Sequence, residues 1–112
     1  MSKFDEKMEI YKAANAELKL GLSDALITGV AKGLGPSIYL ADASLVSGSD
    51  PDELARVKKN FLIGKLGLAD GPSLDTAIQG ALNAMGSANR NKHRALFYAI
   101  LAKNLGKESM FV

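Results

Sequence analysis

Apolar residues recur three and four positions apart along most of this chain, and glycine or proline interrupts the pattern at intervals. This spacing places apolar side chains on one face of a helix. It predicts helices over residues 3–20, in the run that ends at Gly35, and over residues 50–66, 72–85 and 88–106. No stretch alternates as a half-buried strand does. The pattern therefore predicts an all-α fold, a compact single-domain bundle of about five helices spanning residues 1–112.

The predicted helix over residues 50–66 has the best-marked ends. Asp50 can cap it, a proline follows at the first helical position, and Glu53 completes a capping box. Asp52 precedes Arg56 by four residues, which is a favourable pairing on a helix. Gly67 follows the last turn and can supply a left-handed cap.

Two other helices end alike. "AKGLG" at residues 31–35 and "AKNLG" at residues 102–106 place lysine in the last turn and glycine just beyond it, as the helix dipole and the cap geometry favour. Either two helices simply share an ending, or residues 3–37 and 72–108 are two similar helical pairs that flank the helix beginning at Asp50.

The last predicted helix is apolar on all sides over residues 95–102, which indicates a central position in the bundle. Ser87 or Asn89 can cap it. Its first turn then carries three cations although the helix dipole favours acids there: Arg90, Lys92 and Arg94. The apolar end of the chain, including Met110 and Phe111, is expected to fold back over the core rather than await a peptide-binding partner.

Composition excludes several kinds of chemistry. The 112 residues are 47% hydrophobic and 23% charged, which is typical of a folded globular domain. Without cysteine there is no disulfide, thiolate nucleophile or thiolate metal site. The charged N-terminus does not resemble a signal peptide, and no apolar run is long enough to cross a bilayer. We therefore expect a cytoplasmic protein.

Metal and phosphate motifs are also missing. A single histidine without cysteine cannot build a structural zinc site. Asp42, Ser44 and Glu53 match three positions of an EF-hand, but Val46 and Ser47 stand where a ligand and a glycine are needed. "KGLGPS" and "LADGPS" lack the Gly-Lys-Ser/Thr spacing of a P-loop, and no strand precedes their glycines as a dinucleotide site requires. No metal or cofactor is predicted.

Catalysis has one candidate residue, His93. Its neighbours Lys92 and Arg94 would lower the pKa of the imidazole, but no serine elbow and no nearby acid accompany it. We expect no enzymatic activity, and an enzyme built on His93 ranks third among the functional hypotheses.

The net charge of +2 conceals an uneven distribution. Residues 1–53 hold five Lys or Arg and nine Asp or Glu, whereas residues 54–112 hold nine and three. The basic part could bind nucleic acid or another anion, or its charge could be neutralised within the fold or between copies. Neutralisation within the fold would place Arg56, Lys59 or Arg94 near acidic residues such as those of the first helix: Glu6, Glu9 and Glu17.

These considerations leave two binding hypotheses. The leading one is a protein-interaction or self-association module with complementary acidic and basic parts. The alternative is an electrostatic nucleic-acid or anion binder that uses basic helices over residues 54–66 and 88–106. The candidate patch for an anion or a partner comprises six residues: Arg56, Lys58, Lys59, Arg90, Lys92 and Arg94.

A set of short stretches also carries a family resemblance. "GLGPSIY", "ADAS", "VSGSDP", "VKKNFLIGKLGL", "NRNKHRA" and "GKES" occur in this order between Gly33 and Ser109. In combination they resemble the domain of unknown function 2853 family. The resemblance implies a stand-alone, soluble, helical bacterial protein, and it implies no activity and no site residues.

Overall fold

The computed structural model describes residues 2–86 and 88–112. In these residues, five α-helices confirm the predicted all-α fold: α1 (Lys3–Leu18), α2 (Asp24–Leu34), α3 (Pro51–Arg56), α4 (Pro72–Met85) and α5 (Arg94–Asn104). Short 3-10 helices cover Gly35–Tyr39 and Glu108–Met110. The described residues contain no strand, but Leu45 and His93 form an isolated antiparallel bridge.

Helix α5 lies at the centre of the bundle, as its apolar sequence predicts. All eight residues from Ala95 to Ala102 are buried, and α5 packs against α1, α2 and α4. The pairs α1–α2 and α4–α5 each pack together and meet through α2 and α5. The middle helix of the sequence, α3, is therefore not the middle helix in space, and a duplication of the two pairs stays a prediction.

Helices α1 and α2 have N-terminal serine caps that the sequence analysis did not predict, whereas the glycines that end α2 and α5 are as predicted. The Ser2 and Ser23 hydroxyls each accept a backbone hydrogen bond at 3.1 Å and cap α1 and α2. Gly35 and Gly106 have φ angles of 64° and 73° at the predicted helix ends. The apolar face of α4 is buried in full: Leu74, Ile78, Ala81, Leu82 and Met85.

The predicted α-helix over residues 50–66 changes its winding at Val57. Residues Val57–Lys65 form a π-helix, in which the hydrogen bonds join residues five apart. Val57 and Leu62 are five apart, as are Phe61 and Leu66, and all four side chains are buried. The wider turn thus brings both pairs to the core, where the Phe61 ring stacks on Tyr98 with 4.0 Å between the ring centres.

The predicted start of the last helix is wrong. Helix α5 begins at Arg94 rather than residue 88, and Ser87 lies outside the described residues. Asn89 forms a turn instead: its side-chain Nδ2 donates to the Met85 carbonyl at 3.0 Å, and its side-chain Oδ1 accepts from the Asn91 N–H at 2.9 Å. Because the chain then pairs with residues 44–46, it cannot continue as a helix.

That pairing consists of two backbone hydrogen bonds. Val46 N–H donates to the Lys92 carbonyl, and Arg94 N–H donates to the Ser44 carbonyl, both at 2.8 Å. The bridge attaches the long loop before α3 to the start of α5. Of the three cations expected in the first turn of α5, only Arg94 belongs to the helix.

The C-terminal segment folds back on the bundle, as expected for Phe111 but only in part for Met110, which is exposed. Phe111 packs against the core beside Phe61. Its backbone crosses α2 at Gly29, where an added Cβ would lie 2.0 Å from the Phe111 carbonyl oxygen. Gly29 therefore forms the notch that admits the segment.

We predict that Gly29→Ala lowers the free energy of unfolding by about 1–3 kcal/mol, because the new methyl group overlaps the backbone of Phe111. Gly33→Ala is the matched control on the same helix, since nothing lies within 4 Å of its added Cβ. The control should be neutral or stabilising by up to about 1 kcal/mol. Urea denaturation measures both, and equal effects would contradict the proposed notch.

Candidate binding cleft

The side chain of Arg94 connects the loop before α3 to helix α5. Its Nε donates to the Ala43 carbonyl at 2.7 Å, and Nη2 donates to the Leu45 carbonyl at 3.2 Å. Nη1 donates to the Tyr98 hydroxyl at 3.0 Å. Nη2 also forms an ion pair with Glu53, in which the side chains are only 16% and 12% exposed.

This ion pair corrects two sequence predictions. Glu53 was predicted to complete a capping box, but its carboxylate binds Arg94 and, at 3.0 Å, Arg56. The expected pairing of Arg56 with Asp52 is thus replaced by one with Glu53. Asp50 does cap α3, because its carboxylate accepts from the Asp52 N–H at 3.0 Å.

The Arg94 guanidinium keeps its charge despite its burial. Burial by itself lowers the pKa of Arg94, but the hydrogen bonds with Glu53 and Tyr98 outweigh it and hold the pKa above its ordinary value. A nearly buried charge is costly unless it is paired and hydrogen-bonded. Each partner of this pair therefore depends on the other.

The six predicted patch residues fall into separate groups. Arg56 and Arg94 meet at Glu53. Lys58 binds Asp70 at 3.0 Å and Asp75 at 3.1 Å. The hydrogen bonds with Asp70 and then Asp75 raise the pKa of Lys58, so three of the six cations are held by carboxylates of the chain.

The other three patch residues lie elsewhere. Lys59 and Arg90 are exposed. Lys92 is only 7% exposed, and its ammonium donates to the Asn89 carbonyl at 2.5 Å. Arg90 and Lys92 both line the cleft described below, whereas Lys59 does not.

The uneven charge of the sequence is balanced locally. Residues 42–53 hold four acidic residues and no basic one, and the next twelve residues hold four basic residues and no acidic one. The acid that the fold brings to Arg56 and Arg94 is Glu53 rather than an acid of α1.

A cleft of about 940 Å³ lies between the loop of residues 41–49, the second half of α4 and the segment of residues 88–92. A second cleft of about 320 Å³ lies between α3 and the first half of α4. Gln79 lines both. We call the two together the α4 groove; along α4 it runs from Asp75 to Asn83, a rise of about 12 Å.

In the wall of the larger cleft, the loop packs closely against Leu82 and Lys92 at Gly48. A Cβ added to Gly48 would lie 3.1 Å from a methyl carbon of Leu82 and 3.3 Å from Cε of Lys92. The glycine thus lets the loop pack directly on the lysine stem. No local sequence pattern marks this contact, because the partners of Gly48 are more than 30 residues away in the chain.

His93, immediately before α5, packs against helix α1. Its ring meets the buried Tyr11 ring edge-on, with 5.4 Å between the centres. Burial and then the charge of Lys7 lower the pKa of His93, whereas the sequence prediction attributed the shift to Lys92 and Arg94. No ion pair within residues 2–86 and 88–112 includes His93, and the buried Tyr11 hydroxyl has no hydrogen-bond partner there.

Residues 2–86 and 88–112 contain neither a cluster of metal ligands nor a membrane-spanning helix. No group of three or more His, Cys, Asp or Glu side chains among them could hold a metal ion. None of the helices they form has the length and apolar character to cross a membrane.

Comparison with protein families identifies the chain. A family model described as "Protein of unknown function (DUF2853)" matches residues 10–109 of the 112. The chain belongs to this family, as its sequence resemblance indicated. None of the curated proteins compared with the chain matches it.

We predict that Arg94→Met lowers the free energy of unfolding by about 3 kcal/mol or more, since it leaves the Glu53 charge nearly buried and removes the donors to two loop carbonyls. Arg56→Met is the matched control, because it removes the exposed partner of the same carboxylate and should cost less than about 1 kcal/mol. Urea denaturation of both variants measures the difference. Losses of equal size would show that Arg94 has no special structural role.

The lowered pKa of His93 predicts a pH dependence of stability. An unfolded chain titrates its histidine near pH 6.5, so it binds the proton more readily than the folded chain. The free energy of unfolding should therefore fall as the pH drops below about 6.5 towards the folded pKa. The loss in the free energy of unfolding between pH 7.5 and pH 5.5 should be smaller in His93→Gln than in the wild-type protein. If NMR titration gives His93 a pKa at or above 6.5 in the folded protein, the prediction is refuted.

Proposed function

We propose that the protein acts by binding an extended segment of a partner protein along the α4 groove, without catalysing a reaction. The observation that carries the proposal is the groove itself. It is the meeting place of the loop before α3, helix α4 and the segment before α5. Its lining residues follow α4 from Asp75 to Asn83, an arrangement that suits a peptide chain laid along the helix.

The lining of the groove supports this proposal. Its floor includes the buried apolar side chains of Val46, Ile78 and Leu82. Its rim carries exposed polar side chains such as Gln79 and Asn83. An apolar floor supplies affinity, and polar groups at the rim can pair with the backbone of a bound segment.

The length of the groove fits a short segment. A rise of about 12 Å along α4 matches about four extended residues. The Arg94 contacts fix one wall before any partner arrives, because they tie the loop carbonyls of Ala43 and Leu45 to α5. A wall fixed in advance reduces the entropy lost on binding.

The nucleic-acid alternative has less support. Arg94, Arg56 and Lys58 are engaged with carboxylates of the chain, and electrostatic binding of nucleic acid requires several cations free to meet phosphates. An enzymatic function based on His93 has less support still, because no carboxylate pairs with the imidazole among the described residues.

Gln79 offers a direct test, because it lines both clefts and is exposed. A pool of random synthetic peptides about ten residues long, with free carboxyl termini, is passed over the immobilised protein. The peptides that bind are eluted and identified by mass spectrometry. We predict that Gln79→Trp weakens the binding of these peptides about tenfold or more, because the larger side chain fills the groove. Thr76→Trp, at an exposed position of α4 outside the clefts, should leave the affinity for these peptides unchanged.

Three results would contradict the proposal. The first is the recovery of no peptide, and the second is equal binding to both tryptophan variants. The third comes from sedimentation of the protein alone at up to about 1 mM, where weak dimers form. A dimer that Gln79→Trp dissociates would assign the groove to a second copy of the chain.

A further inference from the structure

We infer that the C-terminal segment of residues 107–112 is a strap that regulates the α4 groove. This inference rests on the proposed function and specifies its regulation: the groove wall is fixed while the strap lies on α2, and it loosens when the strap lifts. The connection is a row of contacts that leads from the strap to the loop before α3. Four side chains form this row, in the order Phe111, Phe61, Tyr98 and Arg94.

The strap is attached to the bundle by packing rather than by hydrogen bonds. It turns away from α5 at Gly106, whose φ angle is 73°. Among residues 2–86 and 88–112, its backbone hydrogen bonds join it only to itself and to the end of α5. Its contact with α2 is the close approach of the Phe111 backbone to Gly29. The strap can therefore lift without breaking the hydrogen bonds of a helix, and such segments open at low cost.

Phe61 connects the strap to the centre of the bundle. The centre of its ring lies 6.3 Å from that of Phe111 and 4.0 Å from that of Tyr98, on which it stacks. Phe61 also belongs to the π-helix of residues 57–65. Because π winding is rare and helices in proteins depend mainly on tertiary packing, this segment relies on the contacts of its buried side chains. Lifting the strap removes one of those contacts.

Tyr98 connects the stacked rings to the loop. Its hydroxyl accepts a hydrogen bond from Nη1 of Arg94 at 3.0 Å, and the central guanidinium carbon lies 5.6 Å from the centre of its ring. The same guanidinium donates to the carbonyls of Ala43 and Leu45. A shift of the Tyr98 ring therefore disturbs the group that fixes the loop, since the hydrogen bonds of one nearly buried network depend on one another.

The coupling acts in both directions. If the seated strap strengthens binding in the groove, a segment bound in the groove favours the seated strap by the same free energy. The two states are a seated strap with a fixed groove wall and a lifted strap with a mobile one.

Amide hydrogen exchange measured by NMR tests the coupling without any peptide. Phe111→Ala removes the ring that meets Phe61. We expect this variant to accelerate exchange at Val46 at least about tenfold more than at amides in the middle of α5, because the groove wall opens locally. Met110→Ala is the matched control, since it shortens an exposed side chain of the same strap, and it should change exchange at Val46 less than about twofold.

Two further comparisons test the route of the coupling. Gly29→Ala displaces the strap through its backbone and keeps every ring, so it should reproduce the effect of Phe111→Ala, whereas Gly33→Ala should not. In an Arg94→Met background, Phe111→Ala should accelerate exchange at Val46 by less than about a further twofold, because the group through which the strap acts is already absent.

The outcomes separate this inference from the proposed function. Exchange at Val46 that is unchanged in both Phe111→Ala and Gly29→Ala, or that rises only in step with α5, would overturn the strap, while peptides that depend on Gln79 would still support the groove. Peptides recovered on the wild-type protein should bind Phe111→Ala at least about threefold more weakly, and unchanged affinity would also overturn the regulation. Failure to recover any peptide that depends on the groove would overturn the proposed function, and the regulatory role with it, even if exchange at Val46 responds as expected.

Discussion

The ion pair between Arg94 and Glu53 is the contact on which the arrangement of the loop before α3 depends. It joins the first residue of α5 to α3, and the same guanidinium binds the carbonyls of Ala43 and Leu45. A charge this little exposed is stable only while its partner remains. The pair therefore couples the position of the loop to the most buried helix of the bundle.

The groove follows from that coupling. Its larger cleft exists because the loop stands beside α4 at a fixed distance, bridged to α5 by the backbone bonds of Val46 and Arg94. Gly48 lets the loop approach Lys92 closely. A rigid core thus positions a wall made of irregular chain, which is a common way in which folds present a binding surface.

The fold could be predicted from local patterns, whereas the cleft could not. The burial of residues 95–102 and the C-terminal ends of α2 and α5 depend on residues near one another in the chain, so spacing and caps reveal them. The π-helix after α3 could not be predicted in this way, because its winding depends on the position of the core, and no local rule specifies that position. The role of Glu53 was missed because its partner Arg94 is 41 residues away, and a local capping box explained the same residue. The position of Lys92 was missed for a similar reason. The sequence predicts it in the first turn of the last helix, but the backbone there pairs with residues 44–46 instead.

The central claim is that the Arg94 side chain holds the loop against α5. Amide hydrogen exchange at Val46, whose N–H donates to the Lys92 carbonyl, tests it most directly when wild type, Arg94→Met and Arg56→Met are compared by NMR. The account predicts that Arg94→Met accelerates exchange at Val46 at least about tenfold more than at amides in the middle of α5, because the loop opens locally, while Arg56→Met does not. Exchange at Val46 that is unchanged in Arg94→Met, or that rises only in step with α5, would contradict it.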